Sequence, residues 1–200
     1  MPISYLSAAQ IAALPTTIID DLSTTKLVEA LSATQVKGLS ATQIPSFGAG
    51  VAFNAQQLAA FSGELVGAMT STQLASLDAA KLDVLGSTQI AAISATNFSG
   101  LNATQVASLD VTQLKGLTAT QMAGLTTTDI GELAASQIGG LAASQIGSLE
   151  AAAIAAFAAA QLAALSTTQI GGMTASHIAA LSATQLGALE ATQIGALSAA

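Results

Sequence analysis

The sequence predicts an all-α fold, a solenoid of short capped helices with one helix per eight-residue repeat. Three observations lead there. A large apolar residue returns every eighth position, a second apolar residue follows five places after it, and a Ser/Thr-x-x-Gln phrase lies between the two. Looking for internal repeats settles most of the architecture in a chain like this one.

The period runs from Phe53 through Phe61, Met69 and Leu77 to Leu197 and spans eighteen complete octads without insertion or deletion. With that residue as position one, position six is apolar in every octad. Position five is Gln in twelve of the eighteen, and positions seven and eight are mostly Ala, Gly or Ser. The consensus reads L-S-A-T-Q-I-G/A-A, as in LSATQLGA from Leu181 to Ala188.

A continuous helix does not fit this spacing. Eight residues overshoot two turns by about 80°, so a Leu stripe would wind around the helix. A simple strand would send positions one and six to opposite faces. The phrase instead marks a fresh helix start. Ser or Thr followed three residues later by Gln is a capping box, and the apolar residues on either side are placed as a hydrophobic staple. Ser166, Ser182, Thr118 and Asp110 are predicted helix caps on this basis.

Each helix is then five to seven residues long, ended by the next cap and by small residues such as Gly139-Gly140 or Gly171-Gly172. One octad cannot bury enough surface to stand alone, so octads must stack. Positions one and six are expected inside, with Ser, Thr and Gln outside, and Ala and Gly allow successive turns to approach closely. A β-solenoid is the alternative, if each octad turned a corner.

The first third keeps the period less well. LSTTKLVEAL from Leu22 to Leu31 takes nine residues, FGAGVAF from Phe47 to Phe53 takes six, and Pro15 and Pro45 fall in this portion. Two domains follow: irregular N-terminal repeats over 1–52, read as a cap with decayed repeats as the alternative, and a regular solenoid over 53–200. Terminal units of a stacked array must differ to cover its end.

Composition narrows the function. Net charge is −7, with four lysines and no arginine, and aromatics are 3% of the chain. The composition argues against nucleic acid as a partner, because phosphate contacts need clustered Lys and Arg and single strands need aromatic platforms. With no cysteine, thiolate catalysis and Cys-ligated zinc are excluded. The longest apolar run, Ala151 to Ala160, is short of the roughly 20 residues of a membrane helix. The start, MPISYLSAAQIAAL, lacks the basic region and apolar core of a cleavable signal peptide.

No catalytic, cofactor or metal constellation emerges. His177 is the single histidine and stands at position five of its octad, in the place of Gln. The hydroxyls recur at cap positions, which accounts for them without a nucleophile. Asp20, Asp21 and Glu29 are the best calcium candidates, though solvated charge or helix capping explains them as well, and Gly48-Ala49-Gly50 lacks the following Lys and Ser/Thr of a phosphate loop. The feature left for binding is a polar ladder of Gln137, Gln145, Gln161, Gln169, Gln185 and Gln193. It could bond along the solenoid or to a second copy.

Octads such as LSTTQIGG (Leu165 to Gly172) and LTATQMAG (Leu117 to Gly124) resemble the repeat tracts of very long secreted or surface proteins of Gram-negative bacteria, often termed adhesin-like. The resemblance covers nearly the whole chain from Phe53 onward and implies an extracellular or cell-surface structural role. The expectation is a non-enzymatic rod, spacer or self-assembling filament in a surface fibre, adhesin or matrix, without a cofactor. Self-association would run end to end or side by side; the last unit, Leu197 to Ala200, breaks off mid-phrase, as a truncated sequence or an end open to stacking would. The alternative is a binding module whose Gln/Thr face holds a glycan, a mineral or ice.

Overall fold

The computed structural model of the chain describes residues 5–24, 27–48 and 53–197. Among these are twenty-one short α-helices and two 3₁₀ segments, with no strand. The helices pack in a repeated pattern, so the fold is a helical solenoid and the β alternative is set aside. The chain forms two compact units, Met1–Ser108 and Leu109–Ala200. The division falls between two regular octads, and no sequence feature marks it; the 52/53 boundary expected from spacing lies inside the first unit.

The octad Leu133–Gly140 shows how the repeat is made. Leu133 (φ −76°, ψ 131°) and Ala134 (φ −68°, ψ 153°) are extended, and helix Ala135–Gly139 follows. Gly140 closes it in the right-handed region at φ −86°, ψ −12°. The helix opens with Ile138 N–H donating to Ala134 C=O at 3.0 Å, and the next octad is tied on by Leu141 N–H to Ile138 C=O at 3.1 Å. Two extended residues and six helical ones make each octad.

Helices commonly end on a left-handed residue, usually Gly. These do not. Ser76, Val84 and Ala156 fill the closing position with φ between −80° and −83°, so the corner demands no glycine.

Glycine serves the packing between turns instead. Helices three octads apart lie against one another: Gly63–Gly67 on Ser87–Ala92 in the first unit, and Ala143–Gly147 on Thr167–Ile170 in the second. A Cβ on Gly67 would stand 2.7 Å from Ala92 O, one on Gly139 2.8 Å from Ala164 O, and one on Gly147 2.7 Å from Gly172 O. The backbones are therefore nearly in contact, as the small residues at positions seven and eight led one to expect.

Positions one and six build the core. Ile138, Ile146, Ile154 and Leu162 are fully buried, and the position-one residues Leu133, Leu141, Leu149 and Phe157 are nearly so. Burying such a side chain contributes about 1.5–3 kcal/mol. In the first unit, the position-one aromatics meet edge to face. Phe47 and Phe53 have centroids 5.1 Å apart, and Phe53 and Phe61 4.9 Å.

The irregular portion is built from the same parts, stretched or shortened. Helix Ala8–Ala12 has a complete capping box, Ser7 with Gln10, and Ala33–Val36 has another, Ser32 with Gln35. Helix Thr16–Thr24 is longer, at nine residues. It begins after Pro15, which has no N–H for a capping glutamine to accept, and position five there is Ile18. A 3₁₀ segment, Leu27–Ala30, and another, Ile44–Ser46, which carries Pro45 in its first turn, complete it. Residues 25–26 and 49–52 of the two off-period stretches, most of Gly48-Ala49-Gly50, and the end of the Leu197–Ala200 unit lie outside the described residues.

Candidate functional site

The repeated polar feature of the molecule is position five, and its placement corrects the outward-facing ladder. Gln137, Gln145, Gln161, Gln169 and Gln193 are buried, and Gln185 is half-buried near the end of the array. A primary amide offers one acceptor and two donors in one plane, and every part is used. Glutamine sits inside because its amide bonds the corner N–H of its own octad and backbone carbonyls of the preceding turn.

Gln145 shows the geometry. Its Oε1 accepts from Ala142 N–H at 2.8 Å. Its Nε2 donates to Leu114 C=O at 2.8 Å and to Leu117 C=O at 3.0 Å, 31 and 28 residues earlier. Gln161 repeats this with Ala158 N–H, Ile130 C=O and Leu133 C=O, and Gln169 with Ser166 N–H, Ile138 C=O and Leu141 C=O. Gln193 reaches Leu162 and Leu165, and Gln185 reaches Ala155 and Phe157.

Each glutamine thus caps its own helix and staples it to the preceding turn, at positions six and one for Gln145, Gln161, Gln169 and Gln193 and at positions seven and one for Gln185. The 28- and 31-residue reach, with helices packed three octads apart, puts between three and four octads in one turn of each unit. Sequence reasoning identified the local half of this device; it allowed bonding along the solenoid but placed the ladder outside and did not see the backbone carbonyls of the preceding turn as its partners.

The caps show which half matters more. Ser166 Oγ, Ser182 Oγ and Thr118 Oγ1 each accept from the N–H of their glutamine at 3.2 Å, and Asp110 Oδ1 does so at 2.7 Å. Ala134, Ala142 and Ala158 occupy the same position with no side-chain cap, yet Gln137, Gln145 and Gln161 still accept from their N–H groups at 2.7–2.8 Å. The hydroxyl is replaceable; the amide bond to the corner persists.

Other residues at position five reveal what the seam requires. His177 is buried and copies the amide. Nδ1 accepts from Thr174 N–H at 3.2 Å, and Nε2 lies 2.7 Å from Leu149 C=O, which matches the tautomer with its proton on Nε2. A ring gives one long-range bond where Gln gives two. Asn97, one methylene shorter, reaches Met69 C=O at 3.2 Å. Asp129 keeps the cap, its Oδ2 accepting from Thr126 N–H at 2.6 Å. Lys81 turns to its own cap residue, Asp78, at 3.9 Å, while Leu65 and Ala153 are apolar and buried.

What remains outside is mostly short and hydroxylated, with scattered charges such as Glu64, Asp83 and Glu150. Position-two hydroxyls are turned to capping, and Ser76, Ser108 and Ser148 donate to carbonyls of their own helices at 2.6–2.8 Å. Position four, Thr112, Thr120 and Thr128 for example, is exposed. The outward polar face is therefore a threonine row, not a Gln/Thr face.

Asp20, Asp21 and Glu29 are exposed, and no group of three or more His, Cys, Asp or Glu able to hold a metal ion occurs among the described residues. No helix among them is long and apolar enough to cross a membrane. Repetition alone did not place the glutamines inside: Gln fills position five in twelve of the eighteen octads, and Thr fills exposed position four in ten. Compared with known proteins, the chain matches no protein-family model and no curated protein.

Proposed function

We propose that this chain is a non-enzymatic structural repeat protein, a rod or spacer in an extracellular or cell-surface fibre, adhesin or matrix of a bacterium. The observation behind this reading is the seam. In octad after octad, the chemically richest side chain is spent on backbone groups of the chain itself, as with Gln145, Gln161 and Gln169. Such a device adds length by repetition and leaves the surface to short hydroxyls, methyls and scattered charges. The resemblance to octad tracts of secreted Gram-negative proteins supports the location.

A glycan array and an ice-recrystallisation assay test the reading together. A spacer is expected to be silent in both. Saturable binding in either would favour the second reading, a binding module, for which the exposed row of Thr112, Thr120 and Thr128 is the surface to mutate first.

A further inference from the structure

Asparagine is scarce in this chain, and Asn54, Asn97 and Asn102 stand in three different situations. An asparagine amide is a glycosyl acceptor when Ser or Thr follows two residues later and the residue between is not proline. Asn97-Phe98-Ser99 and Asn102-Ala103-Thr104 meet that spacing, and Asn54-Ala55-Gln56 does not. The octad supplies it whenever Asn takes the cap at position two and Thr keeps position four.

The two matching asparagines differ in which atom of the amide the fold has used. Asn97 stands at position five and is half-buried, and its Nδ2 donates to Met69 C=O at 3.2 Å. A sugar on that nitrogen would occupy the place of the preceding turn. Asn102 precedes helix Ala103–Ser108 and is exposed, as are Ala103 and Thr104. Its Oδ1 accepts from Gln105 N–H at 3.1 Å, and its backbone N–H donates to Gln105 Oε1 at 3.0 Å. Capping thus consumes the oxygen, holds the side chain at the corner and leaves the nitrogen over. Asn54 makes the same cap, its Oδ1 accepting from Gln57 N–H at 2.9 Å, but has Gln56 where the hydroxyl is needed.

We propose that Asn102 is a site of N-linked glycosylation, with a sugar diphosphate as donor. Nδ2 bonds to the anomeric carbon as the bond from that carbon to the diphosphate oxygen breaks. The diphosphate leaves with the electron pair, and one Nδ2 proton goes to base. The product amide keeps one N–H and its oxygen, so the cap on Gln105 survives. The glycan is then a bulky, solubilising group fixed to a helix corner on the surface of the first unit. This goes beyond the structural reading above and does not depend on it.

Enzymatic transfer to the folded, full-length chain tests the proposal. One arm uses UDP-glucose with a soluble N-glycosyltransferase, the other a lipid-linked oligosaccharide diphosphate with a solubilised oligosaccharyltransferase, and peptide mass mapping reads the sites. One glycan per chain, on Asn102, is expected in at least one arm, which also identifies the donor class. Thr104→Ala, at an exposed position outside the cap, should abolish it without altering the circular dichroism spectrum. Gln56→Thr gives Asn54 the missing hydroxyl beside the same cap and should add a second glycan there. Asn102 left bare in both arms would overturn the proposal. So would equal occupancy of Asn97 in the folded chain, or a glycan that persists on Asn102 in Thr104→Ala.

Discussion

The irregular stretch before Phe53 and the regular array after it differ in spacing but close on the same bonds. In the regular array, Gln89 reaches back 31 and 28 residues, to Leu58 and Phe61, and Gln105 does the same, to Leu74 and Leu77. Across the nine-residue interval from Leu22 to Leu31, Gln43 reaches Ile11 and Leu14, 32 and 29 residues back. Across the six-residue interval from Phe47 to Phe53, Gln57 reaches Val28 and Leu31, and Gln73 reaches Ile44 and Phe47, 29 and 26 residues back. One residue more lengthens the reach by one, and two fewer shorten it by two. What the fold holds constant is the meeting of amide and carbonyl, and the octad count is the simplest way to reach it.

If that equivalence is real, removing the amide should cost the same on both sides. Gln43→Ala and Gln145→Ala would each leave one corner N–H and two or more carbonyls without their side-chain partner. The Ile11 and Leu114 carbonyls keep a backbone partner, so at about 1–3 kcal/mol for each group left unpaired, the corner N–H and the remaining carbonyl, each variant should lose about 2–5 kcal/mol. Urea unfolding followed by circular dichroism reads this, and a much smaller loss for Gln43→Ala would make the irregular stretch a loose cap.

A second contrast sets close-packed glycines against free ones. Gly147→Ala drives a methyl against Gly172 O and should destabilise by about 2 kcal/mol despite the better helix propensity of Ala. Gly187 has nothing within 4 Å of an added Cβ, so Gly187→Ala should stabilise by about 0.5–1 kcal/mol. Thermal melts of the pair should move in opposite directions.

His177→Gln restores the usual residue and adds a second bond to the preceding turn, with an expected gain of about 1 kcal/mol. Hydrogen exchange of the amides in helix Ala175–Ala180 should slow, and unchanged exchange would mean that the ring already satisfies the site. Ser166→Ala should have the smallest effect, about 0.5 kcal/mol at the low end for a lost cap, since Ala134, Ala142 and Ala158 already work. A loss as large as that of Gln145→Ala would reverse the ranking of the two halves of the box.

Much of the architecture was legible because its causes are local. The period, the helix starts at Ser166 or Thr118, and the core role of positions one and six all follow from residues within one octad. Position five misled for the same reason. Its Oε1 has a partner three residues away, but its Nε2 finds carbonyls some thirty residues away, and no reading of a single octad contains them. The glycines were half legible: small residues implied close approach, while the extended-extended corner made their helix-ending role unnecessary.

The short reach of the seam also bears on how such a chain comes to be folded. No side-chain tie described here spans more than 32 residues, so loop closure costs the same whether the array has ten octads or a hundred. Folding speed follows the sequence separation of contacts more than the size of the molecule. An array of this kind can therefore order itself behind the ribosome, one octad at a time, once the first turn has emerged. Its length is then set by translation and not by any search for distant partners.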